Sequence, residues 1–517
     1  MYMNKQDLIE KAKPHYDELQ IAKLNTAIDI ASTAHKDQKR KSGEAYITHP
    51  LSVASILVEW GMDIDSVIAG VLHDTVEDTD ITLSYIDNIF GRDVASLVDG
   101  VTKVSQARSG MRNLESYLPQ TRDNLSKLLI AVGHDVRVII IKLADRLHNL
   151  RTLQYMPKDK QQKIARESLE VFAPMADRLG MGRIRMQIEE IAFSYLNPKE
   201  YQRLKHEMKK RVGKSTKKMS VIQEEVKKAL EEQRIPSQVD GRIKSVYSLY
   251  KKLVKVNGNI DNIYDLIALR VVVDTKEQCY QVLGILHTLY QPMIRRIKDY
   301  ISVPKPNGYQ SLHTTVITPS KQIVEFQIRT STMHEYAERG LAASFHYHEQ
   351  KSSKNYINHK DGSALPAELQ WITQLQEIAS RLRDGEEISR DQLSIDIFGN
   401  RIFVFSPKGD IYNLPEGALP LDFAYLVHSE VAKYAYSFKV NGSIRAFNQP
   451  LENGDIVEVI TKRLPQVKKS WLSLVTTSHA KNKLKTQLRR LGLIEAISQA
   501  GAIIYEKTRR RRTNNKK

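Results

Sequence analysis

Val67-Ile68-Ala69-Gly70-Val71-Leu72-His73-Asp74-Thr75-Val76-Glu77-Asp78 sets an apolar stretch directly against four ionisable side chains. Read as one helix, His73 and Glu77 stand four residues apart and share a face, and Asp74 and Asp78 share another one step around. Val67, Ile68, Val71 and Leu72 supply a buried side. Charged groups beside such a stripe are costly unless a metal ion or a substrate satisfies them.

The next piece outward is Lys142-Leu143-Ala144-Asp145-Arg146-Leu147-His148-Asn149. Ile139, Leu143, Leu147 and Leu150 form its apolar stripe, while Asp145, Asn149 and Thr152 recur at i, i+4 and i+7 and suit a pocket wall. His49, in Tyr46-Ile47-Thr48-His49-Pro50, is a further candidate ligand. His49, His73, Asp74 and Asp145 make a mixed nitrogen and oxygen set that suits Mn2+ or a similar ion. Such an ion acidifies a water and polarises a phosphate oxygen, with Glu77 and Asp78 placed to position or deprotonate that water. Helical periodicity in Leu24–Ala34, Leu51–Trp60, Ser66–Leu72, Leu125–Val132 and Val136–Leu153 makes residues 1–195 an all-α domain.

Beyond it, Tyr201–Arg234 reads as a long basic helix whose Lys209–Arg211 and Lys214–Lys218 clusters form a solvated face. Then Leu266–Val273, Leu312–Thr318 and Gln322–Ile328 read as strands, with helices around Lys276–Tyr290 and Met333–Ala343, so residues 196–348 form an α/β domain. Gly241-Arg242-Ile243-Lys244-Ser245 is expected to open a helix running through Tyr247, Tyr250 and Lys251, where free N–H groups favour phosphate. Downstream, Arg295-Arg296-Ile297-Lys298-Asp299-Tyr300 and Lys305-Pro306-Asn307-Gly308-Tyr309-Gln310-Ser311-Leu312-His313 gather cations, a turn and an aromatic face on which a base can stack. Alternation in the last strand sends Val324, Phe326 and Ile328 to one face and Glu325 with Gln327 to the other. Glu325, with Asp265 at the start of the first strand, is placed to hold Mg2+ beside triphosphate oxygens.

A third texture follows a polar linker at 349–395, which carries one amphipathic piece at Leu369–Leu382. Arg401–Ser406, a turn at Pro407-Lys408-Gly409-Asp410, Ile411–Leu414, a helix near Leu421–Ser429, an Asn441-Gly442 hairpin and Ile456–Thr461 make a small α+β module at 396–462. Residues 463–517 read as a helical basic tail ending in Arg509–Arg512, which either attracts phosphate backbones or is simply solvated.

Composition agrees with a multidomain globular chain: 517 residues, 41% hydrophobic and 27% charged, suggest about three or four domains. Lys and Arg exceed Asp and Glu by 78 to 60, a net +18 that favours polyanionic partners or a solvated surface. A single cysteine, Cys279, excludes an internal disulfide framework and any cluster or zinc ribbon held by cysteines of this chain alone. Met1–Gln20 lacks a signal-type apolar core, and the apolar run at Val138–Ile141 is too short for a membrane span, so the expectation is a soluble, cytoplasmic protein.

These motifs resemble the long Rel/SpoT family, whose members make and degrade the alarmone (p)ppGpp. Arg40–Glu44, His73–Asp78 and Leu143–Thr152 are similar to its HD-type hydrolase domain. GRIKSVYSLYKK, YDLIALRVVV, RIKDYISVPKPNGYQSLHTTV and VEFQIRT are similar to its nucleotidyltransferase-like synthetase domain. VFSPKGDIYNLPEGALPLDFAYLVHSEV and KVNGSIRAFNQPLENGDIVEVIT resemble a β-grasp TGS domain.

The resemblance implies that His49, His73, Asp74 and Asp145 hold Mn2+, that Glu77 and Asp78 assist water attack on the 3′-pyrophosphate, and that Arg40, Lys41, Ser42, Asn149 and Thr152 line a guanosine pocket. It implies Mg2+ at Asp265 and Glu325, with Glu325 also deprotonating the 3′-hydroxyl. Arg242, Lys244 and Lys251 would face ATP, and Lys298, Lys305, Asn307, Tyr309 and His313 the guanine nucleotide. His428 would contact the end of a tRNA on the ribosome.

Arg296-Ile297-Lys298-Asp299 has the basic form found in bifunctional members. Ser344-Phe345 stands where the family has His-Trp. The chain stops soon after Trp471–Ala480, which implies a shortened regulatory half. The expected function is therefore transfer of pyrophosphate from ATP to GTP or GDP together with hydrolysis of (p)ppGpp. A hydrolase-dominant enzyme and an RNA- or ribosome-binding sensor are the alternatives.

Overall fold

The computed structural model describes residues 3–109, 135–255, 267–305, 307–340 and 401–490, with single positions 342, 380 and 492. The helix expected at Leu125–Val132, Asp265, most of the linker at 349–395, Ser344-Phe345 and Arg509–Arg512 lie outside these residues. The chain divides into two compact units, Met1–Glu386 and Glu387–Lys517.

The first unit opens with helices α1 (Lys5–Ala12), α2 (Glu18–Ala34), α3 (Thr48–Trp60), α4 (Ile64–Leu72), α5 (Thr75–Asp78), α6 (Leu83–Phe90), α7 (Arg92–Ser109), α8 (Arg137–Arg151), α9 (Lys158–Glu167), α10 (Ala173–Arg178) and α11 (Gly182–Leu196). Their starts are written in the sequence. Asn4, Asp17, Asp63 and Thr82 are extended and accept from the backbone N–H three residues on, each worth about 1 kcal/mol. Helix α3 is apolar and buried on nearly every side, and α8 buries eleven of its fifteen residues, so the two form the centre of this layer. Gly70 lets α4 lie against α3, because a Cβ there would meet Leu57 Cδ1 at 2.5 Å.

The single helix expected through His73–Asp78 is two. Helix α4 ends at Leu72, and α5 starts at Thr75. The Thr75 hydroxyl donates to the Leu72 carbonyl at 2.7 Å, and the His73 ring Nδ1 lies 2.9 Å from the Gly70 carbonyl. Side chains thus take up carbonyls at the end of α4 and end the helix where the pattern alone continues it.

The unit continues with α12 (Pro198–Glu232), β1 (Gln238–Ile243), α13 (Val246–Lys255), β2 (Ile267–Val273), α14 (Lys276–Leu289), β3 (Gln291–Pro292), β4 (Lys298–Asp299), β5 (Leu312–Ile317), β6 (Ile323–Thr330) and α15 (Ser331–Arg339). The sheet order is β1-β2-β6-β5-β3, with β4 also on β5. β2 and β6 are parallel, and the other pairs are antiparallel. Gly241–Ile243 does not open a helix. It ends β1, pairing Arg242 with Ala268, and α13 begins only after Ser245. Leu269, Val271 and Val273 of β2 and Val324, Phe326 and Ile328 of β6 pack on Cys279, Val282 and Leu286 of α14 and on Val226 and Leu230 of α12. Among its described side chains, the long basic helix therefore buries one stripe and exposes the other.

The helical layer and the α/β layer touch closely. Gly340, at φ +61°, ends α15 where a Cβ would lie 2.3 Å from the Leu179 carbonyl oxygen and 2.6 Å from Met181 N. The Asn307 amide donates to the Asp177 carbonyl at 2.8 Å, and the Tyr336 hydroxyl donates to the Asn307 carbonyl at 3.1 Å.

The second unit holds β7 (Arg401–Phe405), β8 (Ile411–Pro415), α16 (Pro420–Val427), α17 (Ser429–Lys433), β9 (Ala435–Val440), β10 (Ser443–Arg445) and β11 (Val457–Thr461). Asn441 and Gly442 both take positive φ, 53° and 82°, as the two-residue hairpin between β9 and β10 requires. The core runs past residue 462, since Trp471, Val475, Ala480 and Leu484 pack on Phe423, Tyr425 and Phe438. Asp422, 1% exposed, accepts from the backbone N–H and hydroxyl groups of both Thr476 and Thr477 and from Leu419 N. The three parts are thus all-helical, mixed α/β and small β-rich, the multidomain architecture expected. Among the described residues no helix is long and apolar enough to cross a membrane.

Gly340→Ala combines a positive φ with three main-chain collisions, whereas Gly91→Ala, at φ +92°, has nothing within 4 Å of the added methyl. Gly91→Ala should cost about 1–3 kcal/mol from backbone strain alone. Gly340→Ala should cost clearly more. Urea unfolding followed for both variants tests the difference, and equal costs would contradict the close approach.

Candidate functional site

The break between α4 and α5 places His73 and Asp74 opposite His49, near the start of α3. Ligand atoms of His49, His73 and Asp74 lie within 4.8 Å of one another. His49 Nε2 is 3.6 Å from Asp74 Oδ2 and 3.3 Å from Asp145 Oδ1 of α8. His73 Nε2 is 3.1 Å from Asp74 Oδ1, yet that buried atom has no hydrogen bond. With its Nδ1–H on the Gly70 carbonyl, a neutral His73 presents a bare lone pair at Nε2. Two imidazole nitrogens and a carboxylate oxygen around such an atom fit a divalent cation.

The carboxylates here are not equivalent. Burial opposes ionisation of Asp145, but the Lys142 ammonium at 3.0 Å outweighs it and holds the carboxyl well below its ordinary range. Asp74 is likewise opposed by burial yet held below its ordinary value, with Lys142 among the positive groups near it. Burial and the neighbouring Asp74 push Asp78 up. The Tyr46 hydroxyl bridges these groups, donating to Asp74 Oδ2 at 2.7 Å and lying 3.2 Å from Asp78 Oδ2, and burial with Asp74 raises its own pKa. Neighbouring carboxyls with pKa values driven apart can divide ligand and proton-transfer roles. Glu77 is half-buried on α5 beside them.

Arg40, Lys41 and Ser42 sit in a tight turn, closed by Arg40 N donating to the Glu44 carbonyl at 2.8 Å and by the Lys39–Ala45 bridge. Gly43, at φ +91°, makes that turn. Arg40 reaches α8, with NH2 at 3.3 Å from Asn149 Oδ1 and 3.4 Å from Thr152 Oγ1, and NH1 at 3.2 Å from His148 Nδ1. Asn149 in turn donates to Asp145. The nucleotide candidates Arg40, Asn149 and Thr152 therefore adjoin the metal candidates. Lys41 is exposed and Ser42 half-buried on the same turn.

The second site surrounds Glu325 on β6, which lies between β2 and β5. Lys244 Nζ donates to Glu325 Oε2 at 3.0 Å, and His313 Nδ1 is 3.7 Å from Oε1. Burial opposes the Glu325 charge, but Lys244 holds the carboxyl below its ordinary value. Burial, with Lys305 and Lys298, pushes His313 down to about 4. Tyr309 OH meets His313 Nε2 at 2.9 Å, and Lys305 Nζ lies over the Tyr300 and Tyr309 rings at 4.8 and 5.1 Å. Arg242 donates to Gln327 at 3.0 Å. A cavity of 210 Å3 is lined by Arg242, Lys305, Asn307, Tyr309, His313 and Arg329, among others. Lys298 faces His313 across the β4–β5 pairing. Lys251 points instead to Glu189 of α11 at 2.8 Å. Asp265 lies outside the described residues.

His428 stands between α16 and α17 in extended conformation, exposed, its Nδ1 accepting from Glu430 N at 3.2 Å. It ends one helix and caps the next rather than sitting on a helix surface.

Four side chains enter these sites that sequence reasoning passed over. Tyr46 lies three residues before His49 and was visible as a motif neighbour. Lys142 and His148 flank Asp145. Arg329 continues the Glu325, Gln327 alternation, is 1% exposed, and has Nε and NH2 without hydrogen bonds.

Comparison with known proteins follows the same three parts. A model described as HD domain matches residues 27–182, one described as a region found in RelA / SpoT proteins matches 241–352, and one for the TGS domain matches 402–461. The chain is 42% identical over 462 residues to a GTP pyrophosphokinase of Myxococcus xanthus, covering 89% of this chain and 60% of that protein. It is 39% identical over 499 residues to a guanosine-3′,5′-bis(diphosphate) 3′-pyrophosphohydrolase of Aquifex aeolicus, covering 96% and 68%. It is 38% identical over 493 residues to the bifunctional (p)ppGpp synthase/hydrolase SpoT of Escherichia coli, covering 95% and 68%. The chain thus spans roughly three-fifths to two-thirds of the length of these curated relatives.

Asp145 gives a pH signature. Its folded pKa lies below the unfolded value of about 3.9, so the stability it contributes is present above that pH and is lost as pH falls through the folded pKa. Asp145→Asn takes from Lys142 its buried carboxylate and should cost about 3 kcal/mol or more at pH 7. The gap to the parental protein should begin to narrow as pH falls below the unfolded value and go on narrowing towards the folded pKa. Urea midpoints of metal-free protein from pH 7 to 3 measure this, and a gap independent of pH would contradict the assignment.

Proposed function

The chain belongs to the Rel/SpoT family, and on that premise we propose that it is a bifunctional enzyme of alarmone metabolism. One activity transfers pyrophosphate from ATP to the 3′-hydroxyl of GTP or GDP. The other hydrolyses the 3′-pyrophosphate of (p)ppGpp. The observation that carries this reading is the presence in one unit of two separate carboxylate centres, one with paired buried histidines and one ringed by cations and an aromatic face.

At the first centre His49, His73, Asp74 and Asp145 would hold Mn2+. When bound, a divalent cation supplies charge that polarises a phosphate oxygen and acidifies a water. Glu77 and Asp78 would position that water and accept its proton, and the raised pKa of Asp78 suits proton exchange nearer neutrality. Arg40, Lys41, Ser42, Asn149 and Thr152 would hold the guanosine.

At the second centre Asp265 and Glu325 would hold Mg2+, with Glu325 also taking the proton of the 3′-hydroxyl. Arg242, Lys244 and Lys251 would face the phosphates of ATP, so Lys244 would exchange its present partner, Glu325, for a phosphate oxygen. Lys298, Lys305, Asn307, Tyr309 and His313 would face the guanine nucleotide, with the base on Tyr309. The TGS module offers His428 for contact with tRNA on the ribosome.

Purified protein is incubated with ATP and GDP, and separately with ppGpp and Mn2+, and the products are resolved by chromatography. Asp74→Ala and Asp145→Ala should abolish hydrolysis and leave synthesis; Glu325→Ala should do the reverse. Tyr309→Ala should raise the KM for GDP by an amount corresponding to about 1–3 kcal/mol of lost stacking, and Tyr309→Phe by less. Hydrolysis at the parental rate in either aspartate variant, with saturating Mn2+, would overturn the first assignment. Synthesis surviving in Glu325→Ala would overturn the second.

A further inference from the structure

His148 belongs to neither the metal set nor the nucleotide set, yet it touches both. Its Nδ1 lies 2.8 Å from His49 Nδ1 and 3.2 Å from Arg40 NH1, and the His49 and His148 ring centroids are 4.9 Å apart. Two facing ring nitrogens at that distance need one proton between them, and which ring carries it decides what the other nitrogen of His49 can do. Arg40 settles the matter. A guanidinium only donates, so His148 Nδ1 must present its lone pair to Arg40. The same lone pair then accepts from His49 Nδ1–H. A neutral His49 with its proton on Nδ1 has a bare Nε2, and that atom faces Asp74 and Asp145.

The opposite tautomer has its own attraction. With the proton on Nε2, His49 could donate to Asp145 Oδ1 at 3.3 Å, and no lone pair would remain there for a cation. His73 faces no such choice, because the Gly70 carbonyl can only accept from its Nδ1. His49 has an ambivalent imidazole where His73 has a carbonyl, and Arg40 makes that imidazole act as an acceptor.

We propose that His148 is a positioning residue, which together with Arg40 holds His49 in the tautomer that can ligate a metal ion. The proposal rests on the reading of His49, His73 and Asp74 as a metal centre. It also makes Arg40 a contributor to metal affinity as well as a candidate for nucleotide binding.

The test uses full-length, metal-stripped protein titrated with Mn2+, free ion being followed by electron paramagnetic resonance. His148→Phe keeps a ring but no acceptor and should weaken Mn2+ binding about 10–100-fold, the range for loss of a partner behind a metal ligand. In His148→Asn the amide oxygen stands where Nδ1 stood, and affinity should stay within a few-fold of parental. Arg40→Met should weaken binding in the same direction as His148→Phe. Long-range 15N–1H correlation spectra of histidine-labelled, metal-free protein should show His49 protonated on Nδ1 in the parental chain and shifted towards Nε2 in His148→Phe.

Parental affinity in His148→Phe, equal losses in the Phe and Asn variants, or an unchanged His49 tautomer would overturn the proposal while leaving the metal centre standing. If His148→Phe does not fold, parental affinity in Arg40→Met has the same force. Absence of Mn2+ binding by the parental protein would overturn both readings.

Discussion

Asp145 is an ionised carboxylate, 5% exposed, on a helix whose other buried residues are apolar except Lys142 and Arg146. Taking such a charge out of water is tolerable only if other groups replace the water. The surroundings of α8 do so: Lys142 at 3.0 Å and Asn149 one turn on both donate to it. Across from them α3 brings His49 Nε2 to 3.3 Å from the same carboxylate, with the other ring nitrogen against His148. Helix α4 stops at Leu72, beside this pair. A continuous helix would carry His73 and Asp74 onward along its own axis, whereas the break sets both against the pair already formed.

The α/β layer solves the same problem with a sheet. Glu325 occupies a central strand whose inward neighbours, Val324 and Phe326, are fully buried. Its charge is matched by Lys244 from the segment that follows β1, two strands away across β2. In both layers a lysine holds the carboxylate in its ionised state. The two lysines differ in burial, with a side-chain exposure of 3% at Lys142 and 20% at Lys244. The first is closed off from solvent, and the second is partly open to it.

The elements that sequence reasoning located are those whose pattern is local. Apolar periodicity marked α2, α3, α4 and α8, alternation marked β6, and Asn441-Gly442 marked its hairpin. Where tertiary contacts decide, the pattern misled. Gly241-Arg242 looked like a phosphate-type loop because its β-pairing is made to Ala268 and Leu269, more than twenty residues away in the chain. The break at His73 depends on a hydroxyl and a ring taking up carbonyls, which spacing does not record. Of the candidate site, His49, His73, Asp74 and Asp145 were found from residue type and spacing and do come together. Tyr46, His148 and Arg329 were not singled out, because a tyrosine, a histidine or an arginine beside a motif acquires meaning only from what faces it.

Asp422 has a consequence for how the second unit comes into being. Four of its five donors belong to Thr476 and Thr477, 54 and 55 residues downstream. During synthesis the hairpin of β7 and β8 and the helices after it emerge well before those threonines. Until they arrive, the carboxylate must keep its water and the start of α16 cannot be fully buried. Local strands and helices can form early, but closure of this core waits on a late, long-range contact. Full burial of Asp422 therefore waits until the chain has passed Thr477.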